Sequence, residues 1–191
     1  MAWVLAFGRT LLNLLVVPKL TPRPLKRTPR VSVIVPARDE ERAIERAVRG
    51  FLAQSYSDLE VIVVNDRSVD ATGAILAAID DPRLVVVTGE EPPDGWLGKP
   101  WALHQGSLRA TGELLLFVDA DVIYQPDAIV SAVARFEDND IALLALFPRL
   151  EVHGFWENVV MPNLLVFGFT FLPIWLTNRT RIALLAVGGG P

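Results

Sequence analysis

The chain has 191 residues, 51% of them hydrophobic and 21% charged, with a net charge of -4. That length suits one domain with a full core plus attachments, not two domains, and the composition suits a folded domain joined to segments that meet lipid. The negative balance excludes a domain-wide basic field for nucleic acid, and the absence of cysteine excludes disulfides, thiolate metal sites and cysteine nucleophiles.

Residues 2 to 17, AWVLAFGRTLLNLLVV, are apolar except for Arg9, Thr10 and Asn13. The run is shorter than the roughly 20 residues of a comfortable span, so it predicts a marginal span or an interfacial helix. PKLTPRPLKRTPR follows, with Lys19, Arg23, Lys26, Arg27 and Arg30 among prolines. Such a segment reads as an extended basic linker over 21–30. Basic flanks mark the cytoplasmic side, and charge placed after the apolar run favours a retained anchor over residues 1–20 against a cleaved leader.

From Val31 the pattern becomes that of an α/β domain, expected over 31–150. VSVIVP (31 to 36) reads as a strand, and Ile44, Ala47, Val48, Phe51 and Leu52 stand at helical spacing. LEVIVVND (59 to 66) repeats the strand, ATGAILAAI (71 to 79) the helix, and RLVVVTG (83 to 89) gives a third strand. Pro100 is expected as the first residue of the next helix, GELLLFVD (112 to 119) as the fourth strand, Pro126 as the opening of another helix, and IALLALF (141 to 147) as a further strand. Near-continuous apolar strands alternating with helices imply a mostly parallel sheet with helices on both faces. Asn158 to Asn178 carries no charge and two prolines, Pro162 and Pro173, which are expected to break or kink a helix. One reading is a buried helical hairpin of a soluble core; the favoured one is an apolar segment that lies in or dips into a bilayer, within an apolar region over 151–191.

Ligands of such sheets bind beyond the carboxyl ends of the strands. There the sequence places Pro36, Ala37, Arg38, Asp39 and Glu40 after the first strand, Asn65, Asp66, Ser68 and Asp70 after the second, and Asp119, Ala120 and Asp121 after the fourth. The loop GEEPPDGWLGKPWAL adds Lys99. Many carboxylates with one lysine suit an oxygen-coordinated divalent metal and a phosphorylated ligand. Rival readings are structural. Asp119 and Asp121 could form a solvated turn, Asp70 is expected to cap the helix near Ala71, and Lys99 could be an ordinary surface lysine. Trp96 and Trp101 are candidates for ligand stacking or for packing, while His104 and His153 are read as structural. Gly188 to Gly190 lack the strand-and-lysine context of a phosphate loop and read as a flexible acceptor-side loop.

VSVIVPARDEE, VIVVNDRSVDAT, GWLGKPWAL and LLLFVDADV, in this order and spacing, resemble family 2 glycosyltransferases of the GT-A fold, and most resemble their membrane-associated branch of hopanoid-associated and carotenoid-type enzymes. The similarity runs from about Val31 to the end. It implies a Rossmann-like GT-A domain that transfers a sugar, with inversion, from a nucleoside diphosphate donor such as a UDP-sugar to a lipid or isoprenoid-type acceptor at a membrane, using Mg2+ or Mn2+. The resemblance sets Pro36 and Ala37 against the nucleotide, Glu40 near its ribose or base, Asp66 on a uracil-like base and Lys99 facing the diphosphate. Asp119 would meet the ribose or a metal-bound water, and Asp121 the metal itself, with Ala120 between them. The chain departs from the pattern at Asn65, where many relatives carry aspartate, and at Arg38-Asp39, where Asn-Glu is common. The family's acceptor-side base sits in an acidic motif after the Gly-rich stretch, which places it beyond Pro191. A non-catalytic donor-binding fragment is therefore the alternative to an active transferase. A nucleotidyltransferase would need a Gly-rich loop after the first strand, which PARDEE does not provide.

Overall fold

The computed structural model describes residues 2–16, 20–139, 142–146 and 154–171. The elements are, in chain order, α1 (Ala2–Val16), β1 (Val31–Ala37), α2 (Ile44–Leu52), β2 (Leu59–Asn65), α3 (Thr72–Ala77), β3 (Leu84–Thr88), α4 (Gly98–Ser107), β4 (Leu114–Phe117), α5 (Ala128–Asn139) and α6 (Phe155–Phe171). They fall into two compact units: an α/β unit, Thr21–Ala142, and a helical unit that holds α1 and α6.

In the α/β unit the strands form one parallel sheet in the order β3-β2-β1-β4. All four therefore end at the same edge. β1 and β2 are central and almost wholly buried, which is why their sequences are continuous apolar runs with no alternation. Their side chains still alternate between faces. Val31, Val33, Val35, Val61 and Val63 join Ile44, Ala47, Val48 and Phe51 of α2 and Ile129 and Val133 of α5 in one core. Ile34 and Val64 belong to the other face, against α4. There a Cβ placed on Gly106 would stand 2.5 Å from Ile34 Cγ2 and 3.1 Å from Val64 Cγ2, so the helix can approach only because position 106 has no side chain. The outer strands are less covered, and Phe117 of β4 is 50% exposed.

At the amino ends of the strands a buried carboxylate ties three segments together. Glu60 Oε1 accepts from Ser32 Oγ at 2.6 Å, from Thr111 N at 2.7 Å and from Thr111 Oγ1 at 2.8 Å. Arg30 reaches Glu60 Oε2 at 3.4 Å, and Gly112 N donates to Ser32 Oγ at 2.8 Å. A buried charge is tolerable only when it is paired and hydrogen-bonded in this way.

Several expectations are corrected. Residues 142–146 form no strand, since apolarity alone does not select a strand; Ile141 and Phe147 lie outside the described residues. α4 begins at Gly98, which makes Pro100 its third residue. Pro is as acceptable there as at the first position, because no amide of the first turn has a partner within the helix. α6 continues through Pro162, losing one backbone bond without ending; Pro173 lies outside the described residues. The basic segment 21–30, expected as a linker, belongs to the α/β unit and is pinned within it. The backbone amides of Lys26 and Arg27 donate to Glu137 at 3.0 and 2.9 Å, and Arg27 pairs with Glu113. No described helix is long and apolar enough to cross a membrane.

Burial pushes the Glu60 carboxyl up, but the bonds from Ser32, from both Thr111 donors and from Arg30 outweigh it and hold its pKa below the ordinary glutamate value. The folded chain thus binds that proton less readily than the unfolded one, so the network's contribution is complete above the unfolded pKa and is lost as pH falls through the folded value. Glu60→Gln should lower unfolding free energy by about 1–3 kcal/mol at neutral pH. The deficit should shrink in acid, as read from urea midpoints of both chains across that range.

Candidate functional site

The carboxyl edge of the sheet is built from two loops laced to each other. After β1, the carbonyl of Ala37 accepts from Asp66 N at 2.8 Å. Asp39 N donates to Ser68 Oγ at 3.1 Å, and Asp39 Oδ1 accepts from Val69 N at 2.8 Å. Glu40 N donates to Thr72 Oγ1 at 2.8 Å, Glu41 N to Asp70 Oδ2 at 3.0 Å, and Ala71 N to Glu41 Oε2 at 3.1 Å. The lacing requires left-handed backbone at Asp39 (φ 56°) and Arg67 (φ 58°), a conformation that costs a residue with a Cβ about 1–2 kcal/mol. Asp70 does cap α3, from one residue further out than an N-cap: its Oδ1 accepts from Thr72 N at 2.9 Å. Burial opposes ionisation of Asp70, but the bonds from Thr72 and Glu41 hold its carboxyl below the usual range.

Asp66 follows β2 directly and is 4% exposed. Its Oδ1 accepts from Arg67 Nε at 2.9 Å, and the same guanidinium reaches Glu91 in the loop before α4. One glycine lets the next loop close on the Asp66 backbone, and another stands at ordinary contact distance from its carboxylate. A Cβ on Gly89 would stand 2.9 Å from Asp66 Cα, and one on Gly98 3.5 Å from Asp66 Oδ2. Buried Asp66 therefore sits beside the first residue of α4, where helix amides favour negative charge.

Lys99 is the second residue of α4, and its Nζ pairs with Asp119 Oδ1 at 2.6 Å, joining that helix to the end of β4. Asp119 is half-buried, Ala120 buried and Asp121 exposed. Glu40 is half-buried, and its carboxyl is raised above the ordinary value, first by burial and then by the charges of Asp121, Asp70 and Asp119, against which Lys99 acts. Glu40, Asp119, Asp121 and Lys99 thus share one electrostatic neighbourhood with an excess of negative charge. Pro36, half-buried, and Ala37, buried, close β1 at the same edge. Tyr124 stacks on Phe51 with ring centroids 5.2 Å apart, and burial, then Asp119, push its hydroxyl up to about 12.

Among the described residues no group of three or more acidic or histidine side chains is arranged to hold a metal ion by itself. Asp119 and Asp121 offer hard oxygen donors in an acid-rich setting. That fits a divalent cation completed by phosphate oxygens and not one enclosed by protein.

Arg67 had no place among the residues singled out from the sequence, although it orients Asp66. Its signal was its position, a cation between two residues of a strand-end loop that also carries a buried carboxylate. Trp96 and Trp101 stack with each other and with His104, with centroids 5.0 to 5.4 Å apart, and Trp101 Nε1 donates to the Glu90 carbonyl at 3.1 Å. Packing thus accounts for both tryptophans and for His104. His153 and Gly188 to Gly190 lie outside the described residues.

The profile described as Glycosyl transferase family 2 matches residues 32–181. O-antigen biosynthesis protein RfbC of Myxococcus xanthus is 34% identical over 183 residues, 85% of this chain and 14% of that protein. A 4,4'-diaponeurosporenoate glycosyltransferase of Staphylococcus aureus is 31% identical over 130 residues, 66% of this chain and 34% of that protein. Among solved structures, the mannosyltransferase PcManGT from Pyrobaculum calidifontis in complex with GDP-Man and Mn2+ superposes with a TM-score of 0.60 at 30% identity, over 75% of this chain and 44% of that one. S. aureus TarS 1-349 in complex with UDP-GlcNAc gives 0.50 at 26% identity, over 65% and 37%. The chain thus spans less than half of each of these relatives.

The lacing predicts a graded series at Asp39. Asp39→Ala loses the bond to Val69 N and forces alanine into left-handed backbone, and should cost about 1–2 kcal/mol. Asp39→Asn keeps the acceptor and tolerates the conformation, and should cost less than half as much, by chemical denaturation of both variants.

Proposed function

The chain belongs to glycosyl transferase family 2, and from that premise we propose that it binds a nucleotide sugar, preferably a UDP-sugar, at the carboxyl edge of its sheet. It transfers the sugar with inversion to a lipid or isoprenoid-type acceptor, assisted by Mg2+ or Mn2+. The observation that carries this reading is the Lys99–Asp119 pair at 2.6 Å, set beside Asp121 and a Glu40 whose carboxyl is raised by burial and by its acidic neighbours. An edge with that charge excess is suited to a cation and a phosphorylated ligand together. The complexes of PcManGT with GDP-Man and Mn2+ and of TarS with UDP-GlcNAc support the donor class and the metal. The diaponeurosporenoate glycosyltransferase supports an isoprenoid-type acceptor.

In this reading Asp66, fixed by Arg67, accepts a hydrogen bond from an N–H of the uracil-like base. Pro36 and Ala37 form the wall against which the nucleoside lies, and Glu40 takes a ribose hydroxyl. Breaking the sugar–phosphate bond leaves negative charge on the diphosphate, and Lys99 is positioned to exchange Asp119 for a phosphate oxygen as that charge grows. A divalent ion held by Asp121, with Asp119 beside it, would add Lewis-acid stabilisation of the same oxygens. The reading sets the chain at a membrane with its α/β unit on the cytoplasmic side. Lys19, Arg23, Lys26, Arg27 and Arg30 after the first apolar run support that orientation.

Titration of the purified chain with UDP, with and without Mn2+, tests this. Binding should depend on the metal, and Asp121→Asn should weaken it at least tenfold in the presence of Mn2+ while leaving the urea midpoint within error. Absence of UDP binding, or equal binding without metal, would overturn the reading.

A further inference from the structure

The helical unit is built with its polarity reversed. Helices that pack in water place apolar side chains in the seam and polar ones outside. Here Thr10 Oγ1 meets Thr170 Oγ1 at 2.6 Å across α1 and α6, and Asn13 of α1 is wholly buried. The outer positions are large and apolar: Phe7 and Leu15 on α1, and Phe155, Trp156, Leu164 and Phe167 on α6, are each between 59% and 75% exposed.

The polar side chains are also turned inward onto their own helices. Thr10 Oγ1 donates to Ala6 O at 3.0 Å, Asn158 Nδ2 to Gly154 O at 2.8 Å, Asn163 Nδ2 to Val159 O at 2.6 Å and Thr170 Oγ1 to Val166 O at 2.7 Å. Each reaches four residues back, the bond that satisfies a polar group where water does not. Arg9 donates to the carbonyl of Phe171 of α6 at 3.2 Å. On a helix of about 100° per residue, Phe155, Trp156 and Met161 point to three well-separated sides, and all three are exposed. A protein partner covers one side of a helix, whereas a lipid phase covers every side not taken by α1.

We propose that α1 and α6 form one wedge set into an anionic bilayer, with the Thr10–Thr170 seam inside and the apolar side chains among the acyl chains. This rests on the membrane-associated reading above and adds which side chains meet lipid and which headgroups they select. Headgroup charge follows from sequence. Residues 1–20, which carry α1, hold Arg9 and Lys19 and no acidic residue, and so complement anionic lipid.

Because the chain has no cysteine, a single Phe7→Cys, Leu15→Cys or Phe167→Cys carries a unique nitroxide label on the full-length chain. Vesicles of phosphatidylcholine, with and without phosphatidylglycerol, are floated with each labelled chain, and label collisions with oxygen and with a water-soluble nickel chelate are compared. The expected result is flotation at least fivefold greater with phosphatidylglycerol and oxygen-dominated collisions at all three positions. Phe167→Asp should lower the floated fraction several-fold without changing UDP binding. Three results would overturn the wedge: no flotation, nickel-dominated collisions, or spin–spin broadening that shows a second copy on these faces. UDP binding on the same samples is read independently, so a chain that binds UDP but not vesicles refutes the wedge alone. A chain that floats without binding UDP refutes the donor-site reading alone.

Discussion

Carboxylates gathered at one edge of a parallel sheet repel one another, and the candidate site exists only because that repulsion is offset locally. Parallel strands bring the ends of β1, β2 and β4 together whatever residues stand there, so Glu40, Asp66, Asp119 and Asp121 share an edge by topology. Two cations answer them in different ways. Arg67 is anchored, with Asp66 on one side and Glu91 on the other. Lys99 makes one contact, with Asp119, through a flexible four-carbon stem that can follow another anion. The first arrangement fixes a carboxylate in place, and the second holds one that can be released. At Glu40, burial first and then the charges of Asp121, Asp70 and Asp119 push the carboxyl toward the neutral form.

The opposite edge of the sheet uses the same chemical group for a different end. Glu60 is about as enclosed as Asp66, and its hydrogen bonds hold it ionised among Ser32, Thr111 and Arg30. One rim of the sheet is thus closed and electrically satisfied, while the other keeps an excess of charge in reach of solvent. The buried network and the candidate site are separated along the strand axis, with the valine-rich core of β1 and β2 between them.

Much of this was legible because the signals were local. VSVIVP and LEVIVVND could hardly be anything but buried strands, and once both led into helices the edge holding Asp66, Asp119 and Asp121 followed from topology. Less of the helical unit was legible. Two apolar runs more than a hundred residues apart reveal nothing of each other, and the pairing of Thr10 with Thr170 is a tertiary fact without a local signature. Pro162, expected to break or kink its helix, does not break it, because a proline costs a helix one backbone bond and not its continuation. IALLALF misled because apolarity does not distinguish a strand from other buried or lipid-facing chain. Arg67 was passed over because its importance comes from two partners, one adjacent and one 24 residues ahead.

The strand order carries a consequence for how the chain is made. β1 pairs with β2 on one side and β4 on the other, but on a ribosome β2 is available early and β4 only some 80 residues after β1 begins. At synthesis rates of about 5–20 residues per second, the outer edge of β1 stays open for several seconds. During that interval its unpaired amides and carbonyls form a template for strand addition by another chain. Newly made chains are therefore most prone to aggregate before Leu114–Phe117 emerges, and a ribosome that slowed just ahead of β4 would lengthen that exposure.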